Sequence, residues 1–231
     1  NNLSKTYKRL AFDEICANFL VLSENRKKIK KNKKNKSFKS IISNKILKDL
    51  PFNLTRSQKN VLKEINLDLK SSTRMFRIIQ GDVGSGKTIV ALISIANVIE
   101  NKQQCAFMAP TEILAKQHFD LAKKIFINTK IKIGLLTGKT EIKKRKKIIN
   151  DLKNGNLDFI IGTHSLFQEK INFKNLGLAI IDEQHKFGVK QRSELAKKGG
   201  DNCDVLLMSA TPIPRTMMMS LYGDMDISKI T

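Results

Sequence analysis

The residues best equipped for chemistry are Gly81-Asp82-Val83-Gly84-Ser85-Gly86-Lys87-Thr88, which satisfy the pattern GxxxxGK[ST] at every fixed position. Glycines at these positions let backbone N–H groups curl around an anion. A helix starting at the lysine adds the positive end of its dipole. Lys87 is then placed to reach the β- and γ-phosphates of a nucleoside triphosphate, and the Thr88 hydroxyl to ligate Mg2+. The flanks agree with this reading: the apolar run MFRIIQ (75–80) precedes the loop and the helical run TIVALISIANVIE follows it. A chance glycine-rich turn would not need that strand–loop–helix order.

A second constellation follows the apolar run Leu178-Ala179-Ile180-Ile181, which ends in Asp182-Glu183. Asp182 can hold Mg2+ through its water shell. Glu183 can polarise an attacking water, because phosphoryl transfer needs positioning and charge neutralisation more than covalent help. A strand-terminal acidic pair is weak evidence alone and becomes strong beside a phosphate loop. Gln184 and His185 extend the box to DEQH. Ser209-Ala210-Thr211-Pro212 ends another apolar run. The Ser209 and Thr211 hydroxyls could bond to the DEQH side chains and sense the γ-phosphate, although in isolation the segment reads as an ordinary strand-to-loop turn. Ala109-Pro110-Thr111-Glu112, Thr137-Gly138-Lys139 and Gly162-Thr163-His164 end three more runs. Their hydroxyls and N–H groups suit phosphate oxygens of a nucleic-acid backbone. They could equally cap the next helices, for which Thr111 and Thr140 are good residues.

Elements that could position these residues are visible as apolar β-type runs at 75–80, 105–109, 131–136, 157–161, 178–182 and 204–209. Helical stretches near 87–100, 112–126, 140–154 and 190–198 separate most of them. Strand–helix alternation with fully apolar strands predicts an α/β fold, a mostly parallel central sheet flanked by helices. The motifs fall at the carboxyl ends of its strands, where such sheets bind ligands. Residues 1–50 read as an N-terminal helical extension or linker, and 51–231 as the ATP-binding domain. Within the extension, Leu10, Phe12, Ile15, Phe19 and Leu22 have near-helical spacing and predict an amphipathic helix packed on a neighbour. The run RKKIKKNKKNK (26–36) reads as a solvated or disordered segment in preference to a binding patch. A short helix near 38–49 follows, then Pro51 and a helix from Thr55 to Lys70.

Composition narrows the class. The 231 residues carry a formal net charge of +22, which favours a polyanionic partner through counterion release. The predominance of Lys, Asn and Ile without Trp also fits an AT-rich genome, so charge supports nucleic-acid binding without proving it. No apolar run approaches the roughly 20 residues that span a bilayer. Cys16, Cys105 and Cys203 match neither a zinc spacing nor a disulfide framework, which points to a reducing cytosol. Cys105 and Cys203 sit in apolar runs and read as core.

Together these strings resemble superfamily 2 helicases and translocases, most closely the RecG family of DNA helicases. The resemblance rests on LPFNLTRSQ (50–58), IIQGDVGSGKTIVA (78–91), MAPTEILAKQH (108–118), LLTGKT (135–140), IGTHSLFQ (161–168), IDEQHKFGVKQR (181–192) and MSATPIPRTMMMSLYGDMDIS (208–228). It implies a RecA-like lobe that binds ATP and Mg2+ and acts on branched or forked DNA. It further implies that Phe52 and Gln58 belong to an adenine-recognising segment. Pro110, Thr111, Thr137, Gly138, Thr163 and His164 would track the DNA backbone. Gln184, His185, Ser209 and Thr211 would couple ATP to DNA. The N-terminal helix resembles the segment that joins a fork-binding wedge domain to the motor. Lys186 stands where the family usually has Arg, keeping charge but losing the bidentate fork. A second RecA-like lobe would supply arginine fingers, so slow turnover is expected without it. Two alternatives stay open: a transcription-repair coupling type of translocase, and a non-catalytic ATP-gated module.

Overall fold

The computed structural model describes residues 2–29, 33–167, 171–182, 200–211 and 225–231. Its elements are α1 (Asn2–Ile29), α2 (Ile41–Asp49), α3 (Arg56–Lys70), β1 (Phe76–Gln80), α4 (Lys87–Glu100), β2 (Gln104–Met108), α5 (Glu112–Ile125), β3 (Ile133–Leu136), α6 (Ile142–Asn154), β4 (Phe159–Gly162), β5 (Leu176–Ile181), β6 (Asp204–Ser209) and β7 (Asp226–Lys229). The strands form one sheet in the order β3-β4-β2-β5-β6-β1-β7. Every pairing in it is parallel.

Both faces of this sheet are covered, as its unbroken apolar runs require. Side chains alternate across the pleat. Ile79, Phe107, Ile161, Ile180 and Leu206 pack into one core with α2–α5, while Ile78, Ala106, Ile160, Ala179 and Leu207 pack into the other with Ile148 and Leu152 of α6. Helix α4 is buried at every position from Val90 to Val98. It is apolar on nearly every side, with Ser94 and Asn97 its buried polar exceptions, because it lies under α2 and α3 and over the sheet. Helix α3 begins with a capping box: the Thr55 hydroxyl accepts from Gln58 N, and Gln58 Oε1 accepts from Thr55 N at 2.9 Å. Strand β7 is short and half-polar, and no apolar run announced it.

Two expectations for the N-terminal region need correction. The run at 26–36 is not simply solvated: its first residues end α1, and Lys33 and Lys36 are 6% and 2% exposed. Lys33 Nζ donates to Asp204 Oδ1 at 2.7 Å and to the Asp68 carbonyl at 2.9 Å. Lys36 Nζ also bonds to Asp204 and donates to the Gly177 carbonyl at 3.0 Å. Residues 33–42 therefore form a strap across the amino ends of β1, β5 and β6. Glu100 at the end of α4 fastens it further, accepting from the backbone N–H groups of Lys39 at 2.7 Å and Ile42 at 3.3 Å. Phe38 and Ile46 join the core beyond it. In α1, by contrast, Leu10, Phe12 and Ile15 remain 64%, 65% and 54% exposed, where a packed helix was expected.

Candidate nucleotide site and nucleic-acid edge

The phosphate-loop sequence forms the turn between β1 and α4. Gly84 and Gly86 take φ values of 84° and 86°, a left-handed conformation that residues with a Cβ adopt at a cost. A Cβ at Gly86 would also lie 2.3 Å from Gln58 Nε2. That amide is close because Gln58 Nε2 donates to the Ser85 carbonyl at 2.9 Å, so α3 braces the loop from outside. Lys87 Nζ donates to the carbonyls of Gly81 at 2.6 Å and Asp82 at 2.8 Å, closing the loop across its mouth. At the other end, Gly81 N donates to the Ser209 carbonyl at 3.3 Å, and the Ser209 and Thr211 hydroxyls are 3.0 Å apart.

Asp182 follows β5, which is separated from β1 only by β6. Two strand spacings put the ends of β5 and β1 about 10 Å apart. A triphosphate and a hydrated divalent ion fit in that interval. Asp182 N donates to the Met108 carbonyl at 2.8 Å, which fixes its backbone to β2. Its carboxylate Oδ2 lies 2.8 Å from His118 Nε2 of α5, with both side chains 11% exposed.

Loops after β2, β3 and β4 meet on the other half of the same edge. The Thr111 hydroxyl caps α5 by accepting from Leu114 N at 3.2 Å. Glu112 Oε1 accepts from Lys139 N at 3.2 Å, and Gly138 leaves no room there for a side chain without crowding that carboxylate. Thr137 N donates to Thr140 Oγ1 at 2.9 Å. Ala109 N donates to the Gly162 carbonyl at 2.9 Å, and Ser165 Oγ donates to the Leu136 carbonyl at 2.9 Å. Thr111 and His164 are exposed, Pro110 is half-buried, and Thr137 and Thr163 are buried. The edge thus brings together the residues expected to track a backbone, with Thr111, Gly138 and His164 facing outward.

Phe52 is 47% exposed and lines a groove with Leu47 and Leu62 between α2 and α3. Glu183, Gln184, His185, Lys186 and Pro212 lie outside the described residues. Sequence reasoning missed His118. It sits inside the string MAPTEILAKQH, and nothing in its spacing marks Asp182, 64 residues away, as its partner. Glu112 lay in a loop the sequence singled out, but its carboxylate, which accepts from Lys139 N, was given no role there.

Comparison with known proteins gives consistent matches. The profile of the DEAD/DEAH box helicase family covers residues 55–220. The ATP-dependent DNA helicase RecG of Thermotoga maritima is 46% identical over 230 residues, 99% of this chain and 29% of that protein. The ATP-dependent DNA helicase RecG of Aquifex aeolicus is 45% identical over 226 residues, 97% of this chain and 28% of that protein. Among solved structures, RecG bound to a three-way DNA junction matches with a TM-score of 0.85 at 42% identity, over 99% of this chain and 30% of that one. The DEAD-box helicase Mss116 bound to ssRNA has a TM-score of 0.64 at 22% identity over 82% of this chain, a likeness of fold alone. This chain spans less than a third of the length of the RecG relatives.

Proposed function

This chain belongs to the DEAD/DEAH box helicase family, and from that premise we propose that it is the ATP-binding motor lobe of a RecG-type DNA helicase. Such a lobe couples ATP hydrolysis to the remodelling of branched DNA in repair and recombination, in the bacterial cytoplasm. Residues 51–231 form the motor lobe and residues 1–50 its N-terminal extension. A second RecA-like lobe and a wedge domain of the same protein complete the machine. The observation that carries this reading is the division of one sheet edge. The ends of β1, β5 and β6 hold a phosphate loop, a carboxylate and paired hydroxyls, while the ends of β2, β3 and β4 are tied into a second, outward-facing set of loops.

Phosphates of ATP rest on the N–H groups of residues 82–88, and Lys87 turns from the loop carbonyls to the β- and γ-oxygens. The Thr88 hydroxyl and the Asp182 carboxylate are hard oxygen donors and would hold Mg2+, Asp182 through the ion's water shell. Bound Mg2+ supplies charge neutralisation at the phosphates. Glu183 orients the attacking water, and an arginine from the second lobe stabilises the transferring group. Phe52 and Gln58 serve adenine recognition, for which Gln58 is already seated against the loop. Pro110, Thr111, Thr137, Gly138, Thr163 and His164 receive the DNA backbone. Gln184, His185, Ser209 and Thr211 link the two halves.

Calorimetric titration of this chain with Mg-ATP tests the reading, beside Lys87→Ala. Hydrogen bonds to a charged group are worth about 1.5–3 kcal/mol, so the variant should bind roughly 10- to 150-fold more weakly. Equal affinity in the two proteins would remove the phosphate loop from the account.

A further inference from the structure

Asp182 is held from the side by a residue that no part of the proposed reaction yet uses. His118 Nε2 lies 2.8 Å from Asp182 Oδ2, and the pair is nearly enclosed, at 11% exposure each. An ionised carboxylate only accepts, so the imidazole presents Nε2–H to it. The ring cannot swing freely, because it lies against Phe107 of β2 with centroids 4.7 Å apart at 49°. The Asp182 backbone is anchored to the same strand through the Met108 carbonyl at 2.8 Å. One strand therefore fixes both members of the pair.

We propose that His118 is a positioning residue for the nucleotide site: its Nε2–H holds the Asp182 carboxylate in the one orientation that receives the hydrated Mg2+ of Mg-ATP. This rests on the ATP-site reading above. The placement of His118 gives the contact a second consequence. It lies seven residues after Thr111, two helical turns or about 10 Å along α5 on the same side of the helix. A rigid helix thus runs from an outward-facing loop of β2 to the carboxylate at β5. The sheet order makes this the short route between the halves, since β2 and β5 are adjacent. A histidine serving only to fill the core would need its ring against Phe107 and no particular donor, and this alternative can be separated by substitution.

His118→Phe keeps a ring on Phe107 and removes the donor. His118→Gln gives up the ring and keeps an N–H donor near the Nε2 position. The readout is binding of a fluorescent ATP analogue to this chain as Mg2+ is titrated, with a parallel titration in EDTA and thermal midpoints for each protein. Loss of a residue that orients a metal-binding group costs about 10- to 100-fold in metal affinity. His118→Phe should therefore need at least tenfold more Mg2+ for half-maximal binding, while His118→Gln stays within about threefold of the parent, and all three bind alike in EDTA. An unchanged Mg2+ midpoint in His118→Phe overturns the proposal. Equal shifts in both variants also overturn it, and a shift confined to His118→Gln assigns His118 to packing against Phe107. If the parent shows no Lys87-dependent nucleotide binding, the ATP-site reading itself fails and takes this inference with it.

Discussion

At Gly86 two independent demands meet in one residue. Its φ of 86° disfavours any Cβ, and the Gln58 amide occupies the space a Cβ would need. Left-handed backbone costs an ordinary residue roughly 1–2 kcal/mol. The contact with Gln58 comes on top of that. A double-mutant cycle separates the two. Gly86→Ala should weaken nucleotide binding more in the parent than in a Gln58→Ala background, where only the backbone strain remains. Equal losses in both backgrounds would mean that Gln58 does not press on the loop. The loop itself was legible in the sequence because GxxxxGK[ST] encodes backbone conformation directly. The bracing amide was not, since the resemblance assigned Gln58 to adenine and nothing local marks the Ser85 carbonyl, 27 residues away, as its partner.

Among the elements, the strap at 33–42 shows where composition misleads. Two lysines share one carboxylate that is fully enclosed, and Met75 N also donates to that carboxylate at 2.7 Å. Burial pushes the Lys33 ammonium below its usual value, and attraction from Asp204 works against that shift. Asp204→Asn would leave two buried ammonium groups facing a neutral amide. Removing one partner of a buried pair typically costs about 3–5 kcal/mol. Chemical denaturation of the variant should show a loss of that order, and a loss under about 1 kcal/mol would mean that the strap is not held by this cluster. A run of like charges predicts solvation because local sequence cannot reveal a partner 171 residues away, as Asp204 is from Lys33. The helices and buried strands were legible for the opposite reason: their apolar spacing is local. Strand β7 was missed because only four residues pair at an edge, two of them with partners on β1 no more apolar than Arg77 and Gln80. Cys105 and Cys203 lie in the core as their apolar runs implied, and burial pushes the Cys203 thiol up to about 12.

Across the whole molecule, chain order and sheet order differ in a way that serves the proposed motor. The phosphate loop follows the first strand, yet β1 lies near one edge of the sheet and β2, β3 and β4 lie beyond β5. On the proposed reading, one edge is thereby divided into a nucleotide half and a nucleic-acid half, meeting at Asp182. The net charge of +22 gives the molecule a general attraction for polyanions, and in the proposed motor the loops after β2, β3 and β4 decide where a backbone is gripped. The measurement that bears most directly on this account is steady-state ATP hydrolysis by the protein that carries this lobe, with and without branched DNA, beside Glu183→Gln. The account predicts turnover that branched DNA stimulates and that Glu183→Gln abolishes while nucleotide binding persists. Turnover indifferent to DNA, or undiminished in Glu183→Gln, would contradict it.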